Sequence, residues 1–292
     1  MVQTDGIRLA VAKLLDWEDA HVGFKKAVAG LPPDLRGQAP TGLPYSAWQL
    51  LEHIRLTQHD ILEFCRNASY EELDWPGDYW PKSASPPYQT VVYFPHGTSL
   101  LLRSFEKAEM SYLGFIVKAG RALLLPMYKG TYERRLVPPP SGPNAVRDST
   151  IQQIKDLRRS IDYVETRADI DRERLAYFGV SFGARLGAIG LAVENRFKAA
   201  VLWSGGLPQS SKLAEIDELN YAPRVTLPVL MLNGRDDFTF PVESSQLPMF
   251  RLLGTPDTDK RRVLYDGGHV FPFARVEKDT LDWLDKYLGV PK

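Results

Sequence analysis

One cysteine, Cys65, stands alone in 292 residues. No internal disulfide can form, and a reducing, cytoplasmic setting is the expectation. Net charge is also missing: 36 Lys and Arg face 36 Asp and Glu. No global field draws the chain to nucleic acid or to an anionic membrane, so neither is an expected partner. No apolar run approaches the length of a bilayer span. The opening Met1-Val-Gln-Thr-Asp-Gly6 lacks the cationic segment and apolar stretch of a signal peptide, and none is expected. Histidine is scarce, at five residues: His21, His53, His59, His96 and His269. No repeat or low-complexity tract is visible. Ordinary core material is plentiful, with 44% of residues hydrophobic. That is enough for one large or two modest domains.

The chain changes character near Pro86-Pro87. Residues 1 to 87 hold 8 Lys/Arg against 12 Asp/Glu, leaving 28 against 24 for the rest. Lys82-Ser-Ala-Ser-Pro-Pro87 has linker composition. The expected division is a helical hairpin over 1–85 and a catalytic domain over 86–292. In the hairpin, Ile7, Ala10, Leu14, Trp17, His21, Phe24 and Val28 recur at spacings of three and four, one face of a helix from about 6 to 30. Ser46-x-x-Gln49 reads as a capping box. Behind it Ala47, Leu50, Leu51, Ile54, Ile61, Leu62 and Cys65 line a second helix to about Asn67. Trp75, Tyr79 and Trp80 follow as an aromatic loop.

Beyond the linker, strand and helix alternate. Tyr88 to Pro95, Arg121 to Pro126, Arg174 to Phe178, Lys198 to Trp203, Leu227 to Leu232 and Arg262 to Tyr265 read as strands. Asp148 to Arg167, Ala184 to Ala192 and Arg275 to Leu288 read as helices. Such alternation is the signature of a doubly wound, mostly parallel sheet. Ser204 to Arg224 is a short excursion, too small for a large lid. Pro138 to Pro143 is a loop expected near the mouth of a site.

The chemistry-bearing motif is Gly179-Val-Ser181-Phe-Gly183, set between the third strand and the helix after it. A serine hydroxyl is a weak nucleophile until a base accepts its proton and a sharp turn presents its oxygen. Glycines two before and two after permit that turn without Cβ clashes. Phe182, at the helix start, can offer its N–H to a developing oxyanion. Downstream, Leu227 to Leu232 runs into Asn233-Gly-Arg-Asp-Asp237, and Arg262 to Tyr265 into Asp266-Gly-Gly-His269. His269 is the only histidine C-terminal to Ser181. A carboxylate behind it would hold the imidazole in one tautomer. The order Ser, Asp, His is that of α/β-hydrolases rather than of chymotrypsin or subtilisin.

On these motifs, residues from about 88 to 288 resemble an α/β-hydrolase of the esterase, dienelactone-hydrolase and prolyl-oligopeptidase group. In that group the acid usually lies four residues before a proline, here Pro241, which favours Asp237 over Asp236. Serine rather than cysteine at 181 argues against a dienelactone hydrolase. The run Tyr88 to Phe94, then Pro95-His96-Gly97-Thr98, resembles the loop that places a second oxyanion donor. The resemblance implies the N–H of Gly97 or Thr98 beside that of Phe182. His96 is expected to shape this loop rather than act as a base. The implied activity is hydrolysis of small-molecule carboxylic esters of short to medium acyl chain, with no cofactor. A prolyl-oligopeptidase-like peptidase and a non-catalytic scaffold on the same fold are the alternatives.

The N-terminal stretch has a resemblance of its own. Leu43-Pro-Tyr-Ser-Ala-Trp-Gln-Leu-Leu-Glu-His53, Asp60-Ile-Leu-Glu-Phe64 and Asp74-Trp-Pro-Gly-Asp-Tyr-Trp-Pro81 resemble the first half of a DinB-like four-helix bundle. That likeness matches His53 to one metal ligand of the bundle. A lone helical histidine is a poor site for zinc or nickel, and no metal is expected. Half a bundle leaves an apolar seam exposed, so either its helices pack on the catalytic domain or two copies pair through the hairpin, and the second is the expectation.

Overall fold

The computed structural model describes residues 29–30, 38–74, 87–105, 110–210, 213–270 and 273–291. The chain divides into two compact units, Met1–Lys82 and Ser83–Lys292. In the first, helix α1 spans Ala47–Arg66. Its start is the expected capping box: the Ser46 hydroxyl accepts from Gln49 N–H at 3.2 Å, and Ser46 N–H donates to Gln49 Oε1 at 2.9 Å. The expected stripe is present in register, yet no residue of α1 is buried, and Leu50, Leu51, Ile54, Ile61 and Leu62 are exposed. The helix expected over 6–30 and the aromatic loop at 75–81 lie outside the described residues, apart from a turn at 29–30.

In the second unit the order is β1 (Tyr88–Phe94), α2 (Met110–Lys118), β2 (Ala122–Leu124), α3 (Ala145–Glu165), β3 (Ile170–Val180), α4 (Phe182–Val193), β4 (Phe197–Trp203), β5 (Val229–Gly234), α5 (Leu247–Leu252), β6 (Lys260–Tyr265) and α6 (Phe273–Leu288). The strands form one sheet in the order β2-β1-β3-β4-β5-β6, every pair parallel. Parallel sheets are covered on both faces, which is why these strands read as apolar runs. The pleat divides them. Val92, Phe94, Leu175, Tyr177, Ala200, Leu202 and Met231 join the core with α3 and α4. Val91, Tyr93, Phe178, Val201, Leu230 and Leu232 join the opposite core with α2 and α6.

The register brings the functional ends level. Phe94 pairs with Gly179, Val180 with Trp203, Trp203 with Leu232 and Gly234 with Tyr265. The loops after β1, β3, β4, β5 and β6 therefore open on one rim of the sheet. The chain reverses its direction of winding between β1 and β3, the crevice where open α/β sheets bind ligands. Two helices had no clear sequence signal. Helix α2 is Met-Ser-Tyr-Leu-Gly-Phe-Ile-Val-Lys, a mixed apolar run without a polar face, and α5 has Pro248 in its first turn.

Candidate active site

Strand β3 ends at Val180 and α4 begins at Phe182, leaving Ser181 alone to make the turn. Its φ is +51°, a left-handed conformation that non-glycine residues seldom hold. Three hydrogen bonds hold the elbow. Ser181 N–H donates to Trp203 O at 2.7 Å, Gly183 N–H to Pro95 O at 3.0 Å, and the Tyr177 hydroxyl to Gly183 O at 2.6 Å. Burial pushes the Tyr177 phenol well above its ordinary range, so it remains a donor. The glycine at 183 is required by space: a Cβ there would lie 2.2 Å from Phe94 O.

The candidate acid sits in the turn after β5. Asp237 is 2% exposed, and its Oδ1 accepts from Thr239 N–H at 2.8 Å and Phe240 N–H at 3.0 Å. Its other oxygen, Oδ2, is 2.8 Å from His269 Nδ1. Asp236 points to solvent; only its backbone is engaged, donating to Gly267 O at 2.9 Å. The two adjacent carboxylates thus meet different surroundings, Asp237 buried against His269 and Asp236 exposed.

His269 follows β6 through Asp266-Gly267-Gly268. Gly267 has φ +135°, and a Cβ on Gly234 would sit 1.9 Å from Gly268 O, so the acid and histidine turns are pressed backbone to backbone. His269 Nε2 lies 2.8 Å from Ser181 Oγ. With Nδ1–H donated to Asp237, Nε2 is left as an acceptor for the serine proton. The three side chains, 88 and 32 positions from His269 along the chain, thus form one hydrogen-bonded line.

Phe182 opens α4, and Gly97 and Thr98 open a short 3-10 turn, Gly97–Leu100, with His96 as its N-cap. Amides in first turns lack intrahelical acceptors. A Cβ built on Gly97 would lie 3.8 Å from Phe182 Cβ, so the two turns adjoin. The Arg185 guanidinium lies over the Phe182 ring at 5.1 Å and 3.4 Å from Glu218, itself buried. Burial lowers the Arg185 pKa and Glu218 opposes that shift. This pair ties the β4–β5 connection to the first turn of α4, and sequence spacing alone gave no sign of it.

The Pro140–Pro143 part of the proline loop lines a groove of about 740 Å³ with Lys129, Asp148 and Lys155. None of Ser181, Asp237 and His269 is among its lining residues. Among the described residues no group of three or more His, Cys, Asp and Glu could hold a metal ion, and no helix is long and apolar enough to cross a membrane.

Comparison with known proteins agrees with this architecture. The uncharacterized protein Rv2307c of Mycobacterium tuberculosis is 29% identical over 224 residues, covering 67% of this chain and 73% of that one. The acylamino-acid-releasing enzyme of Mus musculus is 26% identical over 263 residues; the match takes in 76% of this chain but 35% of the mouse enzyme. A cold-adapted esterase from an Arctic intertidal metagenomic library shares the fold with a TM-score of 0.54 at 24% identity, over 72% of this chain and 86% of that one. An acetyl xylan esterase from Paenibacillus sp. R4 does so with a TM-score of 0.56 at 21% identity, over 72% and 78%. Residues 121–271 match the Dienelactone hydrolase family, a stretch confined to the second unit that lends no support to the DinB-like resemblance of the first. The serine at 181, which argued against a dienelactone hydrolase, does not remove the chain from that family, since the match runs through it. Spanning about half of the sequence and including Ser181, Asp237 and His269, that match shows that the chain belongs to the dienelactone hydrolase family.

Proposed function

We propose that this protein is a serine hydrolase of carboxylic esters with short to medium acyl chains, acting through Ser181, His269 and Asp237. The observation that carries the reading is the continuous line Ser181 Oγ–His269 Nε2 and His269 Nδ1–Asp237 Oδ2, each 2.8 Å. Ser181 Oγ attacks the ester carbonyl carbon while His269 Nε2 takes its proton. Asp237, held by two backbone donors, stabilises the resulting imidazolium without itself taking the proton. Negative charge gathers on the former carbonyl oxygen, and the Phe182 N–H with that of Gly97 or Thr98 receives it. The tetrahedral species collapses, the C–O bond breaks, and His269 passes its proton to the leaving alcohol. Water then gives a proton to Nε2, attacks the acyl-enzyme, and releases the acid as the proton returns to Ser181. This route uses protein groups alone. Among its described residues the β4–β5 connection carries three short 3-10 turns, Ala214–Ile216, Glu218–Asn220 and Ala222–Arg224, which favours an open site and small acyl groups. The solitary Cys65 and balanced charge favour a cytoplasmic setting.

A fluorophosphonate probe tests the nucleophile: Ser181 displaces fluoride and retains the phosphonyl group. Labelling at Ser181 together with turnover of p-nitrophenyl acetate is expected. Silence in both assays would defeat the reading in favour of a non-catalytic scaffold. The likeness to an acylamino-acid-releasing enzyme favours a second reading, cleavage of the amide that follows an acylated residue. Paired N-acetylalanine ester and p-nitroanilide substrates separate the two. Faster anilide turnover would replace the ester assignment by the peptidase.

A further inference from the structure

Ser204 is the second serine on this rim with an unusual backbone. It follows β4, its φ is +52°, and it is 3% exposed. Glycine would hold such a conformation without strain, and the next two residues, Gly205 and Gly206, are glycines. A side chain kept at a strained, buried position is worth tracing to its contact. The Ser204 hydroxyl donates to the backbone carbonyl of His269 at 2.8 Å. Its own N–H donates to Leu232 O at 2.7 Å, which extends the β4–β5 ladder by one rung.

The flanking residues show what that bond is anchored to. Trp203 O accepts from Ser181 N–H at 2.7 Å. Gly205 O accepts from Asn233 Nδ2 at 2.8 Å, four residues before Asp237. A Cβ on Gly205 would be 2.6 Å from Ala184 Cβ in the first turn of α4. Three successive residues thus touch the nucleophile turn, the strand leading to the acid, and the histidine turn. The first two turns are also held by their own strands and helix. The histidine turn carries two glycines and is gripped from outside by Asp236 N–H, which donates to Gly267 O at 2.9 Å, and by the Ser204 hydroxyl.

We propose that Ser204 is a positioning residue for His269. Its hydroxyl fixes the carbonyl of His269, and with it the backbone from which the imidazole must reach Oγ and Oδ2 together. A side chain bonded at 2.8 Å on both ring nitrogens tolerates little displacement of its own Cα. This inference rests on the ester-hydrolase reading for its kinetic consequence, though not for its geometry.

Ser204→Ala and Ser204→Gly both delete the hydroxyl, and the glycine variant also relieves the positive φ. The measurements are kcat and KM on p-nitrophenyl acetate, the rate of fluorophosphonate labelling, and the imidazole ¹⁵N and Nδ1-proton shifts of His269. Both variants are expected to lose roughly 10- to 100-fold in kcat with KM within about twofold, as for a misplacement of a catalytic group by a fraction of an ångström. Labelling should slow by the same factor, and the His269 shifts should move toward those of an unbonded imidazole. Either variant keeping kcat within about twofold of wild type, with wild-type shifts, would overturn the proposal. A lowered melting temperature with unchanged kcat and shifts would overturn it equally, since that marks a purely structural serine. If Ser204→Ala does not fold, Ser204→Gly decides. If the wild-type protein neither turns over ester nor labels, the ester reading fails separately. The His269 shifts then decide the matter for Ser204 alone: changed in the variants they uphold it, unchanged they overturn it.

Discussion

Helices α1 and α4 are built on opposite principles. α4 has eight of its twelve residues buried, among them five of small side chain that let it lie tight on the sheet: Gly183, Ala184, Gly187, Ala188 and Gly190. A Cβ on Gly187 would meet Leu202 Cδ2 at 2.7 Å. Its apolar residues do not form one stripe, because neighbours surround it. α1 has a clean stripe and a complete capping box, yet none of its residues is fully buried. Local signals specify a helix, and only contact with a second surface turns its apolar face into stability. The functional consequence follows the same line. A nucleophile can be held at a strained φ only where the surrounding packing over-determines it.

The largest expected effect tests whether α4 is placed for chemistry. Ser181→Ala should lower kcat/KM on p-nitrophenyl acetate by roughly 10³-fold or more while thermal melting barely shifts. A loss of only a few-fold would leave the strained elbow without a catalytic purpose. Next comes the pair of adjacent carboxylates. Asp237→Asn should lower kcat by roughly 10²- to 10⁴-fold, and Asp236→Asn should stay within about twofold, as exposed substitutions usually do. The reverse ranking would move the acid to the solvent side of the turn. The comparison of the helices is sharpened by one substitution in each. Leu186→Ala in α4 should cost roughly 2–5 kcal/mol in chemical denaturation, since the side chain is 1% exposed. Gly183→Ala should cost roughly 1–3 kcal/mol through the clash with Phe94 O. Leu62→Ala in α1 is the smallest, about 0.5 kcal/mol or less, because that side chain is 48% exposed. The expected pairing of two copies through α1 would make this last effect depend on protein concentration. Light scattering on Leu51→Glu with Ile61→Glu would then show a halved mass, and an unchanged mass would remove α1 from any self-association.

Much of the site was legible because its three residues sit where local signals are strongest. Ser181 lies between a strand and a helix with glycines at both sides, Asp237 four residues before Pro241, and His269 directly after two glycines. Each marks a turn at the end of an apolar run, and the alternation of strand and helix implies parallel strands whose following turns share a rim. Ser204 and the Arg185–Glu218 pair were not legible. Ser204 meets its partner 65 residues away, and nothing in the spacing of a serine before two glycines says where its hydroxyl will point. The start of β3 carries no strand signal for a related reason. Ile170-Asp-Arg-Glu173 is charged and partly exposed, and joins the sheet only through the pairing of Tyr88 with Ile170. The separation of Asp236 from Asp237 was reached through the proline, but its physical cause is in the turn: two backbone amides converge on one carboxylate and none on the other's side chain.

Among the described residues the sheet ends in β2 on one side and β6 on the other, and neither edge invites a second sheet. β2 is three residues long, too short to template an added strand. β6 carries Lys260, Arg261 and Arg262 in succession. Lys260 is paired with Asp257 and Arg262 is partly buried, so two molecules approaching edge to edge along β6 would bring the exposed Arg261 of one against that of the other. The same basic strand that carries the chain to its histidine thereby guards the protein against aggregation through its own backbone.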